Sequence, residues 1–213
     1  MATALQAGNG ERRRYEELED ARLLALVLGR EPEAELEAHL LRGGNGGPWH
    51  GRDPEELARE LSVPLRWAEG LAAILELARR CAARKVALPE PVRGGRDVYL
   101  YFAPRFRGCR VERFCALYLD AKGRLLRERR VSEGTLTASL VHPREVYGPA
   151  LVHQAAAVVV AHNHPSGDPE PSVEDHATTR RLQRAGRILG IELLDHVIVG
   201  EGRYKSFLEN GWL

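Results

Sequence analysis

At 213 residues the chain has room for one large domain or two small ones. Its 44% apolar and 29% charged residues are a globular composition and exclude a disordered chain. With 31 Lys and Arg against 30 Asp and Glu, the net charge of +1 excludes both a basic nucleic-acid footprint over the whole chain and an acidic tail.

Residues 1–14 are small, polar and basic and read as a frayed arm with no apolar h-region of a signal peptide. The longest clean apolar run, AAAVVVA at 155–161, is far short of a membrane span, so the expectation is a protein without membrane segments. Cys81, Cys109 and Cys115 form no disulfide pattern and fit a reducing, cytoplasmic setting. Apolar periodicity predicts a helix over 15–29 ending at Gly29, and a second over 31–41. The Gly/Pro-rich RGGNGGPWHGRDP follows at 42–54, where Asp53 caps a short helix with Pro54 in its first position. A longer amphipathic helix is expected over 67–84, with Ala68, Leu71, Ala72, Leu75 and Ala78 as its buried stripe.

LPEPVRGGRD (88–97) is a natural linker, and the pattern changes after it. DVYLYFAPRF is ambiguous between helix and strand, and we read it as a short helix bent at Pro104. Residues 111–131 read as a β-hairpin turning at AKGR. A helix over 142–154, a buried strand over 155–163, a loop over 164–171, a helix over 172–190 and a strand over 191–200 complete the chain. The expectation is an all-helical domain at 1–87, a linker at 88–97 and an α/β or α+β sandwich at 98–213.

The chemistry concentrates in HNHPSGDPEPSVED, 162–175. Two positions apart at the end of a strand, His162 and His164 present both imidazoles to one face. Asp175 lies about one turn into the next helix, which the loop returns beside the strand end. Two histidines, one carboxylate and an open fourth position make the ligand set of a catalytic zinc, which acidifies its bound water to near neutrality. Ser172 to Asp175 is also a capping-box variant, so both residues have a structural use as helix punctuation.

The spacing H-x-H-x7-S-x2-D, filled by His162, His164, Ser172 and Asp175, resembles the JAMM motif of the MPN+/JAB metallopeptidases. VHPREVYGPAL at 141–151 and LGIELLDHVIVGEGRYKS at 189–206 extend the resemblance to the RadC branch of JAB-domain proteins, over about residues 97–213. LLALVLG (23–29) and AAILELARR (72–80) are similar in layout to that family's helical domain. The resemblance implies a curved mixed sheet flanked by helices, a cytidine-deaminase-like sandwich, with one zinc per chain at its edge. It implies Glu112 as the upstream glutamate, which moves a proton from the water to the leaving group; Glu133 and Glu145 are rivals on composition alone. It further implies Ser172 as hydrogen-bond donor to the developing oxyanion and a peptide or isopeptide bond in a protein substrate. Peptidases of this type place Ser or Thr between the histidines, whereas this chain has Asn163, as in the RadC branch.

Other residues have simpler readings. His176 points about 100° off the face of Asp175. His196, beside Asp195, either orients the site or ends a strand. Ser166 and Asp168 are substrate contacts or turn residues, His142 is an N-cap, and His153 ends its helix. The contiguous letters HNH differ from HNH nucleases, whose signature residues are dispersed along a ββα unit.

The competing function class is a DNA-repair-associated protein that binds nucleic acid or a protein partner and keeps a non-proteolytic metal site. A helix-hairpin-helix needs a G-x-G turn whose N–H groups meet a phosphate. Here Val63-Pro64-Leu65 stands in its place, Pro64 has no N–H, and residues 1–92 carry 13 Lys and Arg against 16 Asp and Glu. The Arg-rich stretches at 124–130 and 178–187 read as solvated faces. The oligomeric state stays open.

Overall fold

The computed structural model describes residues 51–134 and 141–213, together with three helical positions, Leu23, Leu26 and Val27. The rest of the 15–29 helix, the 31–41 helix and the loop up to residue 50, Trp49 included, lie outside the described residues. The chain divides into two compact units, with Asp53–Ala72 in one and residues 51–52 with Ala73–Leu213 in the other. The division therefore runs through a helix rather than along the Pro/Gly-rich 88–97 stretch.

In the first unit, α1 spans Pro54–Glu60, and the Asp53 carboxylate accepts the Glu55 N–H at 2.9 Å as its cap. Helix α2, Leu65–Lys85, starts two residues earlier than its apolar pattern suggested. Ala68 and Leu71 are buried, Ala72 and Leu75 are half-buried, and Ala78 is exposed, so the expected stripe ends short of it. Val63 is buried in the α1–α2 connection, where an anion-binding hairpin would present glycine N–H groups.

The second unit is a three-layer sandwich around a five-stranded sheet of order β2-β1-β3-β4-β5. Helix α3 (Gly95–Phe106) runs through Pro104 without stopping there. Strands β1 (Glu112–Leu119) and β2 (Leu125–Gly134) form the hairpin, turned by Asp120, whose side chain accepts the Lys122 and Arg124 N–H groups. Helix α4 (Pro143–Val152) precedes β3 (Ala157–Asn163), and α5 (Val173–Leu189) carries the chain from β3 to its parallel neighbour β4 (Glu192–Val199). His142 caps α4 as expected, its ring nitrogen accepting from the Arg144 N–H. A three-residue edge strand, β5 (Tyr204–Ser206), escapes periodicity because it is too short to show any.

Strand alternation sorts the core. Phe114, Ala116, Tyr118, Val158 and Val160 face α4 and α5 and meet Tyr147, Ala150 and Leu182. Cys115, Leu117, Leu119, Val159 and Ala161 face α3 and meet Val98, Phe102 and Phe106. Every residue of β3 is buried, which is why it reads as a continuous apolar run. Helices α4 and α5 approach closely at Gly186, where a Cβ would stand 2.4 Å from Ile191 O and 2.5 Å from Tyr147 Oη. No described helix is long and apolar enough to cross a membrane.

Candidate metal centre

Because β3 is central and ends beside the start of α5, the two elements bring their polar ends together. His162 continues the face of Val158 and Val160, which is the face that α5 covers. Ser172 caps α5: its Oγ accepts the Asp175 N–H at 3.1 Å, and Asp175 Oδ2 accepts the Ser172 N–H at 2.7 Å, a reciprocal capping box. The box turns the Asp175 carboxylate back toward the strand end. His162 Nε2 and His164 Nε2 are 3.0 Å apart, Asp175 Oδ1 lies 3.2 Å from the first, and Asp175 Oδ2 lies 3.5 Å from the second. The structure thus gathers the three sequence-expected ligands into one cluster, with His162 and Asp175 buried and His164 half-buried.

Hydrogen bonding fixes which ring nitrogens carry protons. The Asp168 carbonyl can only accept, so His164 Nδ1–H donates to it at 2.7 Å and leaves Nε2 a lone pair. The loop that carries Asp168 is held against the β4–β5 turn by the Glu201 N–H on Gly167 O and by Lys205 on Glu170. The proton on His162 is placed by a relay through Asp175, Thr179 and His196. The Thr179 hydroxyl donates to the Asp175 carbonyl at 2.7 Å, so toward His196 Nδ1, also at 2.7 Å, it can only accept. His196 therefore carries its proton on Nδ1, its Nε2 accepts from His162 Nδ1–H at 2.8 Å, and His162 Nε2 keeps a lone pair.

Three lone-pair donors facing one another need a positive charge between them. A tetrahedral centre with ligand bonds of about 2.0–2.1 Å has an edge of about 3.3 Å; the two Nε2 atoms are 3.0 Å apart, each has a different Asp175 oxygen at 3.2 or 3.5 Å, and one ligand atom from each residue lies within 4.8 Å of the others. The residues present fit a small divalent metal ion.

The same surroundings keep two of the rings neutral and favour a cation at the third. Burial pushes the fully enclosed His162 down to about 4, and His196 well below the ordinary imidazole value, so both are neutral rings. Burial works against a charged His164, but Asp175 and Asp168 O outweigh it and raise its pKa. Burial alone would raise the Asp175 carboxyl; His164, His162 and Ser172 hold it well below the usual carboxylate range.

Glu112 begins β1, and its Oε1 lies 3.7 Å from His162 Nε2, with the side chain 11% exposed. Burial first, and then the charge of Asp175, push its carboxyl up to about 7. Its rivals are engaged elsewhere, Glu133 with Arg113 and Arg130, and Glu145 with Arg144. Ser172 Oγ donates to Asp175 Oδ2 at 2.6 Å, so in this state its proton belongs to the ligand carboxylate. His176 lies against the rings of Phe207 and Trp212, away from the cluster.

Of the two readings the sequence leaves open for His196, the structure has it orient His162, and Thr179, which no sequence motif marks, holds it in turn. The signal for His196 is hidden in a β-bulge: β3 pairs Val158 with Leu193 and then Val159 with Asp195, skipping Leu194. Without that extra residue His196 would face α3 instead of α5. Thr179→Val should leave His196 Nδ1 and the Asp175 carbonyl without their shared partner. A chelator-competition titration should show metal binding weakened by about 10- to 100-fold.

The fold and this centre define a class: an α/β sandwich with a two-histidine, one-aspartate cluster where a central strand meets a helix N-terminus. Residues 92–212 match the family model described as a RadC-like JAB domain. The chain is 44% identical to a UPF0758 protein of Trichlorobacter lovleyi over 92% of its length and 89% of the relative's. It is 45% identical to one of Symbiobacterium thermophilum, covering 93% and 89%. One from Geobacter sulfurreducens is 42% identical over 92% and 89%. The chain belongs to the RadC-like JAB domain family.

Proposed function

We propose that this chain is a hydrolase of JAMM metallopeptidase type, with zinc held by His162, His164 and Asp175 and a peptide or isopeptide bond as its substrate. The observation that carries the reading is the convergence of three lone-pair donors, their protons turned away, beside the half-buried carboxyl of Glu112. When bound, a zinc ion supplies Lewis acidity for a carbonyl oxygen and makes water a usable nucleophile at neutral pH. Glu112 takes a proton from the water as it adds to the carbonyl carbon, and returns it to the leaving nitrogen as the C–N bond breaks. Ser172 turns its hydroxyl from Asp175 Oδ2 to the developing oxyanion, a contribution of about 2.7–4 kcal/mol where such donors have been removed. Oδ2 keeps the Ser172 N–H at 2.7 Å, so the carboxylate is not stripped by that rotation.

The test is a panel of peptide and isopeptide substrates offered to the full chain, chelator-treated and zinc-restored. Hydrolysis that zinc restores supports the reading. A zinc-loaded protein that cleaves none of them, and binds DNA with a steep dependence on salt, supports the nucleic-acid class instead. Against that class stand Val63, buried where the hairpin glycines would be, and Pro64, which has no N–H.

A further inference from the structure

Strands β1 and β3 pair antiparallel up to Phe114↔His162. The same register, carried on, sets Arg113 against Asn163 and Glu112 against His164. In such a ladder the Arg113 N–H and the Val111 C=O turn toward the same neighbour, and residue 165 would supply the N–H for Val111. Residue 165 is Pro and has no N–H, so the ladder cannot continue. Both groups are bonded nevertheless, and by one side chain. The Arg113 N–H donates to Asn163 Oδ1 at 2.9 Å, and Asn163 Nδ2 donates to Val111 O at 3.1 Å. The opposite amide orientation would face donor with donor and acceptor with acceptor, so the network admits only this one. A Ser or Thr hydroxyl, with one oxygen and one proton, is too short to span both groups, whereas the amide fork does so. Asn163 is 4% exposed, so its two bonds are made away from water.

We propose that Asn163 is a positioning residue for Glu112. Its amide grips the backbone immediately before and after Glu112 and fixes that carboxyl relative to His162 and His164, the two histidines that flank Asn163 in the chain. The inference rests on the hydrolase reading above, in which Glu112 moves the proton. It also gives the Asn between the histidines a use that the peptidase pattern lacks.

The test uses Asn163→Ala and the milder Asn163→Ser in the full chain, with three measurements: zinc content, amide exchange at Arg113 by NMR, and turnover. Loss of one buried hydrogen bond should speed Arg113 exchange by about tenfold, while Ala116, inside the β1–β3 ladder, keeps its wild-type rate. Zinc content should not change, and kcat should fall by about 100-fold at constant KM, with Asn163→Ser between Ala and wild type. Arg113 exchange at the wild-type rate, or zinc lost together with turnover, would overturn the proposal. If the wild-type zinc protein cleaves nothing while Arg113 exchange responds to the substitution, the hydrolase reading fails alone and the grip on Glu112 stands.

Discussion

Glu112→Gln is expected to keep the metal and lose hydrolysis by about 10²–10⁴-fold. Gln conserves the shape of the side chain but has no carboxylate to take a proton. Glu112 lies outside the cluster of His162, His164 and Asp175, so metal content should match the wild type. The fold should not suffer either. In the metal-free protein the carboxyl is disfavoured in its charged form by burial and by Asp175, and a neutral amide relieves both. Parallel measurements of zinc per chain, melting temperature and turnover separate the possibilities. Undiminished turnover would place the base elsewhere, and lost zinc would make Glu112 a ligand.

The second large effect is expected at Asp175, where one carboxylate has two duties. Oδ1 faces His162, while Oδ2 accepts both the N–H and the hydroxyl of Ser172. Asp175→Ala should remove metal binding and turnover together, and should also destabilise the chelator-treated protein by about 1 kcal/mol, because the capping box loses a partner. Asp175→Asn should separate the duties. Its amide oxygen still accepts the Ser172 N–H, so the metal-free Asn variant should be less destabilised than Ala, yet below wild type because the charge favoured by His164, His162 and Ser172 is gone, while the metal is lost in both. Equal destabilisation by Ala and Asn would show that the charge, not the cap, holds the start of α5.

How much of this was legible in the sequence follows from how local each determinant is. The histidine pair and Asp175 could be read because strand period two and the S-x-x-D cap are short-range rules. Both helices flanking β3 have strong end signals, Pro143 after His142 and Gly190 after Leu189, and their boundaries match to within two residues. Glu112 could not be separated from Glu133 and Glu145 by composition, and came only through the family resemblance. What distinguishes them is a strand pairing across some 50 residues of chain, which brings Val111 and Arg113 to Asn163. His196 is the sharpest case, since its side of the sheet is set by the bulge at Leu194, which exists only in the pairing with β3. Ala78 shows the converse error: its helical spacing is right, but the residue is exposed among the described residues.

If His162, His164 and Asp175 hold a metal ion, metal content by mass spectrometry reads it out. It should be measured on the purified wild type and on His164→Ala after zinc reconstitution. The expected result is about one zinc per chain in the wild type and none retained by the variant. A wild type that takes up no zinc, or a His164→Ala protein that keeps the wild-type amount, would contradict it.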